Sequence, residues 1–245
     1  MSANHNNARL HRVLAVVANP TTSPITGWPT GFWWSELTHA YWAFTEAGYE
    51  VDIASPDGGR VTADAFSDPE HESRYSAHDL VSLGFKKSPA HAQLLEKTPS
   101  IYDLDLKRYD AVYVAGGQAP MLNMVDDERF HRFLAGAYEA GKVLALVCHG
   151  TCVLLKLRLS GGELLVRDKT WTGFATSEEK LGEKAVGMKI QPFYIEDEAR
   201  KIAETNFVVQ AAGRPHAVRD GRLITGQQHF SAGVTAQLVI ETLGR

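Results

Sequence analysis

The chain has 245 residues, of which 44% are apolar and 22% charged, with a formal net charge of −4 at pH 7. That size and balance are ordinary for a soluble globular protein with a full core, and they suit one large α/β domain or one domain carrying a sizeable insertion. The mild acidity gives no electrostatic footprint for nucleic acid or an anionic membrane, and two cysteines exclude a disulfide framework and suit a reducing compartment.

Residues 1–10 are polar and Asn-rich, without the apolar core of a signal peptide, and are expected to form a disordered tail. No segment approaches the roughly 18 consecutive apolar residues of a membrane helix, so a cytoplasmic protein is expected. The all-apolar run at residues 13–18 reads as a first buried parallel strand. A turn-rich aromatic loop follows, holding Trp28, Phe32, Trp33 and Trp34. Residues 35–47 read as a helix that Gly48 stops, and residues 49–55 as a second strand closed by Pro56-Asp57-Gly58-Gly59. Strand, helix, strand sets the class as α/β with a mostly parallel sheet.

Residues 61–106 break this rhythm. They are polar, carry Pro69, Pro89 and Pro99, and read as a cap insertion over the carboxyl edge of the sheet, with residues 90–97 as its clearest helix. Its histidines, His71, His78 and His91, lack metal-ligand spacing and read as surface residues. Residues 110–115 are the third strand, ending in the Gly116-Gly117-Gln118 turn, and residues 126–140 an amphipathic helix. Further strands are expected at 164–167, 170–173, 207–211 and 222–225, and helices at 176–184, from 195 to 204 and over 231–243. With no repeat and no convincing linker, one domain spanning 1–245 is expected.

The stretch with chemical content is residues 142–152, KVLALVCHGTC. A buried strand over 143–147 breaks at Cys148-His149-Gly150 and passes into a helical register over 151–157. A nucleophile at so sharp a strand-to-helix turn is pushed out of the sheet beside backbone N–H groups, and the helix N-terminus is expected to favour its thiolate. In open parallel sheets the ligand site lies outside the strand carboxyl ends, which brings together Glu36, Gly116, Gly117, Cys148 and His149. Glu36 is either an acid held partly desolvated beside the thiol or an ordinary first-turn charge on its helix. His149 serves as a base only where a sharp elbow turns it toward Cys148 and a third group orients it, for which Glu178 and Glu179 are candidates. Cys152, one turn further on, reads as a small core residue. Trp28, between Gly27 and Pro29, is expected in the pocket wall, with Trp33 and Trp34 packing inward or at an interface.

The series Thr30-Gly31…Glu36-Leu37, Ala47-Gly48-Tyr49, Ala54-Ser55-Pro56, Cys148-His149-Gly150, Thr172-Gly173-Phe174 and Asp220-Gly221-Arg222 resembles the ThiJ/PfpI superfamily. Its nearest branch is that of the stress chaperones and glutathione-independent glyoxalases (glyoxalase III). The resemblance implies a flavodoxin-like three-layer sandwich with Cys148 as nucleophile, Glu36 as its acid/base partner, His149 beside it and Glu179 as third member. It further implies an oxyanion site at the Gly117 and His149 N–H groups, bordered by Gly116 and by Gln118, which stands where the family carries histidine. A homodimer without metal or organic cofactor is implied, converting a small carbonyl substrate such as a 2-oxoaldehyde to a 2-hydroxy acid. The alternative is a related hydrolase or hydratase or, in another class, a holdase or thiol redox sensor. The downstream H-x-E of glutamine amidotransferases is absent from the chain, which argues against ammonia transfer.

Overall fold

The computed structural model describes residues 10–244, so the polar tail expected over 1–10 lies, apart from Leu10, outside the described residues. In chain order, β1 (Arg12–Val16) leads to the small strands β2 (Thr21–Thr22) and β3 (Pro29–Thr30), then α1 (Trp34–Glu46) and β4 (Glu50–Ala54). Residues 61–106 leave the sheet and carry α2 (Leu80–Lys87) and α3 (Pro89–Glu96). The chain returns through β5 (Ala111–Val114), α4 (Pro120–Asn123), α5 (Glu128–Glu139) and β6 (Val143–Val147). Beyond these lie β7 (Thr170–Trp171), α6 (Thr176–Val186), α7 (Ile195–Ala199), β8 (Asn206–Phe207), β9 (Ala217–Asp220), β10 (Leu223–Gly226) and α8 (Ala232–Leu243).

The central sheet has the order β4-β1-β5-β6-β10-β9, parallel throughout except for the β10–β9 pair at one edge. Its inner strands read as unbroken apolar runs because both faces are covered. Leu14, Val16, Val112, Val114, Leu144 and Leu146 pack on one face against Phe130 and Leu134 of α5. Their alternates Val13, Ala15, Tyr113, Ala145 and Val147 pack on the other, against Leu37 and Phe44 of α1 and Val239 and Ile240 of α8. This is a three-layer α/β sandwich. Each fully buried side chain such as Phe44 contributes about 1.5–3 kcal/mol through lost apolar hydration. Gly48 ends α1 in the left-handed region (φ +81°), and Asp127 opens α5 by accepting the Arg129 and Phe130 N–H groups.

Differences from the sequence reading collect after β6. The segment that follows Cys148 is a 3-10 helix, Cys148–Leu155, rather than the start of an α-helix. The residues at 164–167 contribute only an Arg158–Leu164 bridge, and the strand expected over 207–211 stops at Phe207. The helix expected from 195 to 204 ends at Ala199, while β9 had no strand-like reading because its Ala217-Val218-Arg219-Asp220 lies on the sheet edge, where one side faces solvent. Apolar periodicity marks elements that bury a whole face, and these short edge pieces do not.

Candidate active site

The elbow is built from backbone strain. Val147 is extended (φ −131°), while Cys148 takes φ +57°, a left-handed conformation that costs a non-glycine residue roughly 1–3 kcal/mol. Two glycines make room for it. A Cβ on Gly116 would stand 2.7 Å from the Val147 carbonyl oxygen and 2.9 Å from the Gly150 nitrogen, and one on Gly150 would stand 3.1 Å from the Ala115 carbonyl oxygen. The two loop backbones therefore pack directly on one another. The same sharp turn brings His149 round, so that its Nδ1 lies 3.6 Å from Cys148 Sγ. On its far side His149 Nε2 meets Glu179 Oε1 at 2.8 Å, and Phe174 stacks on the ring at 4.2 Å. Glu178 points elsewhere, accepting the Gly213 N–H and the Gln227 side-chain amide. Of the two glutamates, Glu179 is the one hydrogen-bonded to the imidazole.

Glu36 is fully buried and turned into this cluster, so a first-turn helix charge does not account for it. Its Oε2 accepts the Gly116 N–H at 2.6 Å, and Tyr113 donates its hydroxyl to the Glu36 carbonyl at 2.8 Å. Oε1 has no nitrogen or oxygen partner, and the Cys148 sulfur is the group beside the carboxyl. Burial raises the Glu36 carboxyl from an ordinary 4.5 to about 8, against the pull of Cys148 and the Gly116 N–H. Burial, and then the adjacent Glu36 charge, push the Cys148 thiol well above its ordinary value, while the His149 N–H draws it down. The expectation that the elbow alone would favour thiolate is thus corrected. The 3-10 turn brings one N–H to the sulfur, and desolvation beside a carboxylate outweighs it. The two groups titrate as a pair that resists a second negative charge.

The Gly116–Ala119 turn is clasped by residues 31–36. Ala119 donates its N–H to the Gly31 carbonyl (3.2 Å), and Trp33 donates to the Gly116 carbonyl (3.3 Å). Gly116 donates to Glu36, and Gln118 donates its N–H to Asp64 Oδ2 at 2.7 Å. The Gly117 N–H alone in the turn makes no hydrogen bond to a described residue. Gly117 has φ +102°, and a Cβ there would stand 2.4 Å from the Gly31 carbonyl oxygen, so only glycine fits.

Trp28, expected in the pocket wall, packs its ring on Phe66 of the insertion at 5.5 Å, carried there by the β2–β3 hairpin. Trp33 packs on His229 (5.2 Å) and Tyr75 (6.1 Å), and the charge of Cys148 reaches the Tyr75 hydroxyl. Trp34 does pack inward, against Phe32 and Phe85. Asp64, Tyr75 and His229 carried no signal in the sequence. Asp64 and Tyr75 lie in a polar segment without periodicity, and His229 lies just before α8. Cys152 is fully buried, with its thiol directed to the Pro120 carbonyl. Among the described residues no group of three or more His, Cys, Asp or Glu side chains is arranged to hold a metal ion, and no helix is long and apolar enough to cross a membrane.

The model of the DJ-1/PfpI family matches residues 29–241, a span that includes every residue of this cluster. The chain belongs to the DJ-1/PfpI family. It is 27% identical over 236 residues to a Candida albicans protein named glyoxalase 3, covering 93% of this chain and 96% of that one. It is also 27% identical over 239 residues to a Schizosaccharomyces pombe protein named a probable glutathione-independent glyoxalase, covering 87% of this chain and 90% of that one. Among solved structures, the Rapid Encystment Protein 24 kDa of Francisella tularensis superposes with a TM-score of 0.83 at 27% identity, covering 96% of this chain and all of that chain (100%).

Proposed function

We propose that the protein is a cysteine-dependent glyoxalase that converts a 2-oxoaldehyde to a 2-hydroxy acid without glutathione. The observation that carries the reading is Cys148 held at φ +57° between the buried Glu36 and the His149–Glu179 pair. The relatives named as glyoxalases support it. Cys148 Sγ adds to the aldehyde carbon, its proton passing to His149, and the aldehyde oxygen becomes an oxyanion facing the Gly117 and His149 N–H groups. Protonation of that oxygen gives a hemithioacetal. The ionised Glu36 then takes the proton from the former aldehyde carbon and returns it to the adjacent carbon, while the hydroxyl proton passes from the former aldehyde oxygen to the neighbouring oxygen through an enediol, converting hemithioacetal to 2-hydroxyacyl thioester with no net oxidation. Water, activated by His149, cleaves the thioester, frees Cys148 and releases the 2-hydroxy acid. A base displaced to about 8 by burial suits the weakly acidic C–H bond it must open. The same reading carries a homodimer in the cytoplasm. Turnover of methylglyoxal to lactate by the wild type, and its loss in Cys148→Ala with the fold retained, is the expected result. Equal rates in the two would refute the nucleophile.

A further inference from the structure

Asp64 sits in the insertion, in a sequence that gives no hint of a site, yet it is only 1% exposed. Its two carboxylate oxygens serve two different loops. Oδ1 accepts the Gly31 N–H at 3.0 Å, and Oδ2 accepts the Gln118 N–H at 2.7 Å. The residue is itself fixed, donating its own N–H to the Phe32 carbonyl at 2.8 Å beside the Phe32–Ala63 bridge. This fit is close enough that a Cβ on Gly31 would overlap the Thr62 carbonyl oxygen, 1.7 Å away. Among the described residues Asp64 has no Lys or Arg ion-pair partner; two backbone N–H groups meet its oxygens, and the charge of His149 acts on it as well.

We propose that Asp64 is a positioning residue for the reaction: by clamping the Gly31 and Gln118 N–H groups, it aims the unpaired Gly117 N–H between its neighbours at the oxygen of the reacting carbonyl. This rests on the glyoxalase reading for what the oxyanion is, and on the hydrogen bonds alone for how the turn is held. Glu36 grips the turn from one side through Gly116 and Asp64 from the other through Gln118, so Gly117 has little freedom to reorient. Geometry of this kind matters because a donor displaced by about 1 Å forfeits roughly 10²-fold in rate. The charge matters too. Burial lifts the Asp64 carboxyl to about 7, the two N–H groups and His149 oppose the rise, and the Asp64 charge adds to the upward displacement of Glu36. Asp64 thus interacts electrostatically with Glu36 and His149, and Glu36 in turn with Cys148.

Asp64→Asn tests the clamp with little change of volume, since an amide can accept one of the two N–H groups but presents its own hydrogens to the other. The expected result is a kcat about 10²-fold lower with KM changed by less than about 3-fold, in a variant whose folded fraction at assay temperature matches wild type. Independently of turnover, the pH midpoint for iodoacetamide alkylation of Cys148 falls, because one negative charge has left the surroundings of the Glu36–Cys148 pair. An unchanged kcat, or a loss that only follows unfolding with the alkylation midpoint unmoved, overturns the proposal. Should Asp64→Asn not fold, the wild type itself decides. The Gly31 and Gln118 amide resonances share a titration with a midpoint at about 7, and the absence of a common inflection overturns the clamp. A wild type that turns over no 2-oxoaldehyde while the midpoint still moves would refute the glyoxalase reading and leave the clamp standing.

Discussion

Replacing Glu36 with Gln is expected to stabilise the protein while it removes most of its turnover. The carboxyl ionises at an ordinary 4.5 when unfolded and at about 8 in the folded chain, so between those values the folded state holds a proton that the unfolded state has lost. Its stabilising contribution is therefore complete below pH 4.5 and lost as pH rises through 8. Carried to pH 7 at about 1.4 kcal/mol per pH unit, the wild type forfeits roughly 3 kcal/mol relative to a group that never ionises. Gln is such a group. Its oxygen can keep the Gly116 N–H bond, but its amide hydrogens occupy the place of Oε1, which has no nitrogen or oxygen partner, at a cost of about 1–2 kcal/mol. The net gain at pH 7 is about 1–2 kcal/mol, or roughly 2–8 °C in Tm for a chain of this size. Differential scanning calorimetry of both proteins at pH 5, 7 and 8.5 reads it directly. The Tm difference should widen in favour of Glu36→Gln from pH 5 to 8 and then level off, while kcat falls about 10²–10⁴-fold. A Tm difference independent of pH would refute the argument, because it would mean that Glu36 ionises alike in the folded and unfolded chains.

Iodoacetamide should modify Cys148 before Cys152, since His149 faces only the first sulfur and the second is fully buried against Pro120; peptide mapping that found Cys152 modified first would contradict the elbow. Glu179→Gln should lower kcat roughly 10²-fold or more by weakening the orientation of His149, with Tm changed little, and full activity would reduce the Glu179 contact to a structural one. Trp33→Ala should shift the rate ratio of phenylglyoxal to methylglyoxal about 10-fold, whereas Trp28→Ala should lower Tm through loss of its Phe66 contact and leave that ratio alone. The reverse pattern in paired kinetic and thermal measurements would return Trp28 to the pocket wall.

What was legible in the sequence is what burial writes into it. β1, β5 and β6 are unbroken apolar runs because α-layers cover both of their faces, and the Cys-His-Gly break at the end of β6 follows from a backbone that must turn left-handed. Glu36 was legible as a residue but not as a buried one, since a glutamate in a first helical turn looks the same whether it faces water or a thiol. Asp64 and Tyr75 were invisible because nothing local selects them; they reach the site only through the return path of residues 61–106. The Trp28–Phe66 contact was invisible for the same reason, since the β2–β3 pairing and the return path of the insertion together bring the two rings within reach. The 3-10 geometry after Cys148 was read as α-helical because a helical register over seven residues does not distinguish three from 3.6 residues per turn.

Four carboxylates, Glu36, Asp64, Glu178 and Glu179, are buried around one thiol, and among the described residues their partners are backbone N–H groups, Gln227 and His149, with no lysine or arginine among them. Such a chamber treats the two ends of the reaction differently. Under the proposed glyoxalase reaction a 2-oxoaldehyde enters uncharged, whereas a 2-hydroxy acid is born as an anion beside carboxyls that burial already holds toward their neutral forms, in a medium of low dielectric. On that proposal the same walls that make the second ionisation of the Glu36–Cys148 pair costly also weaken the hold on an anionic product, so that it competes feebly for the site.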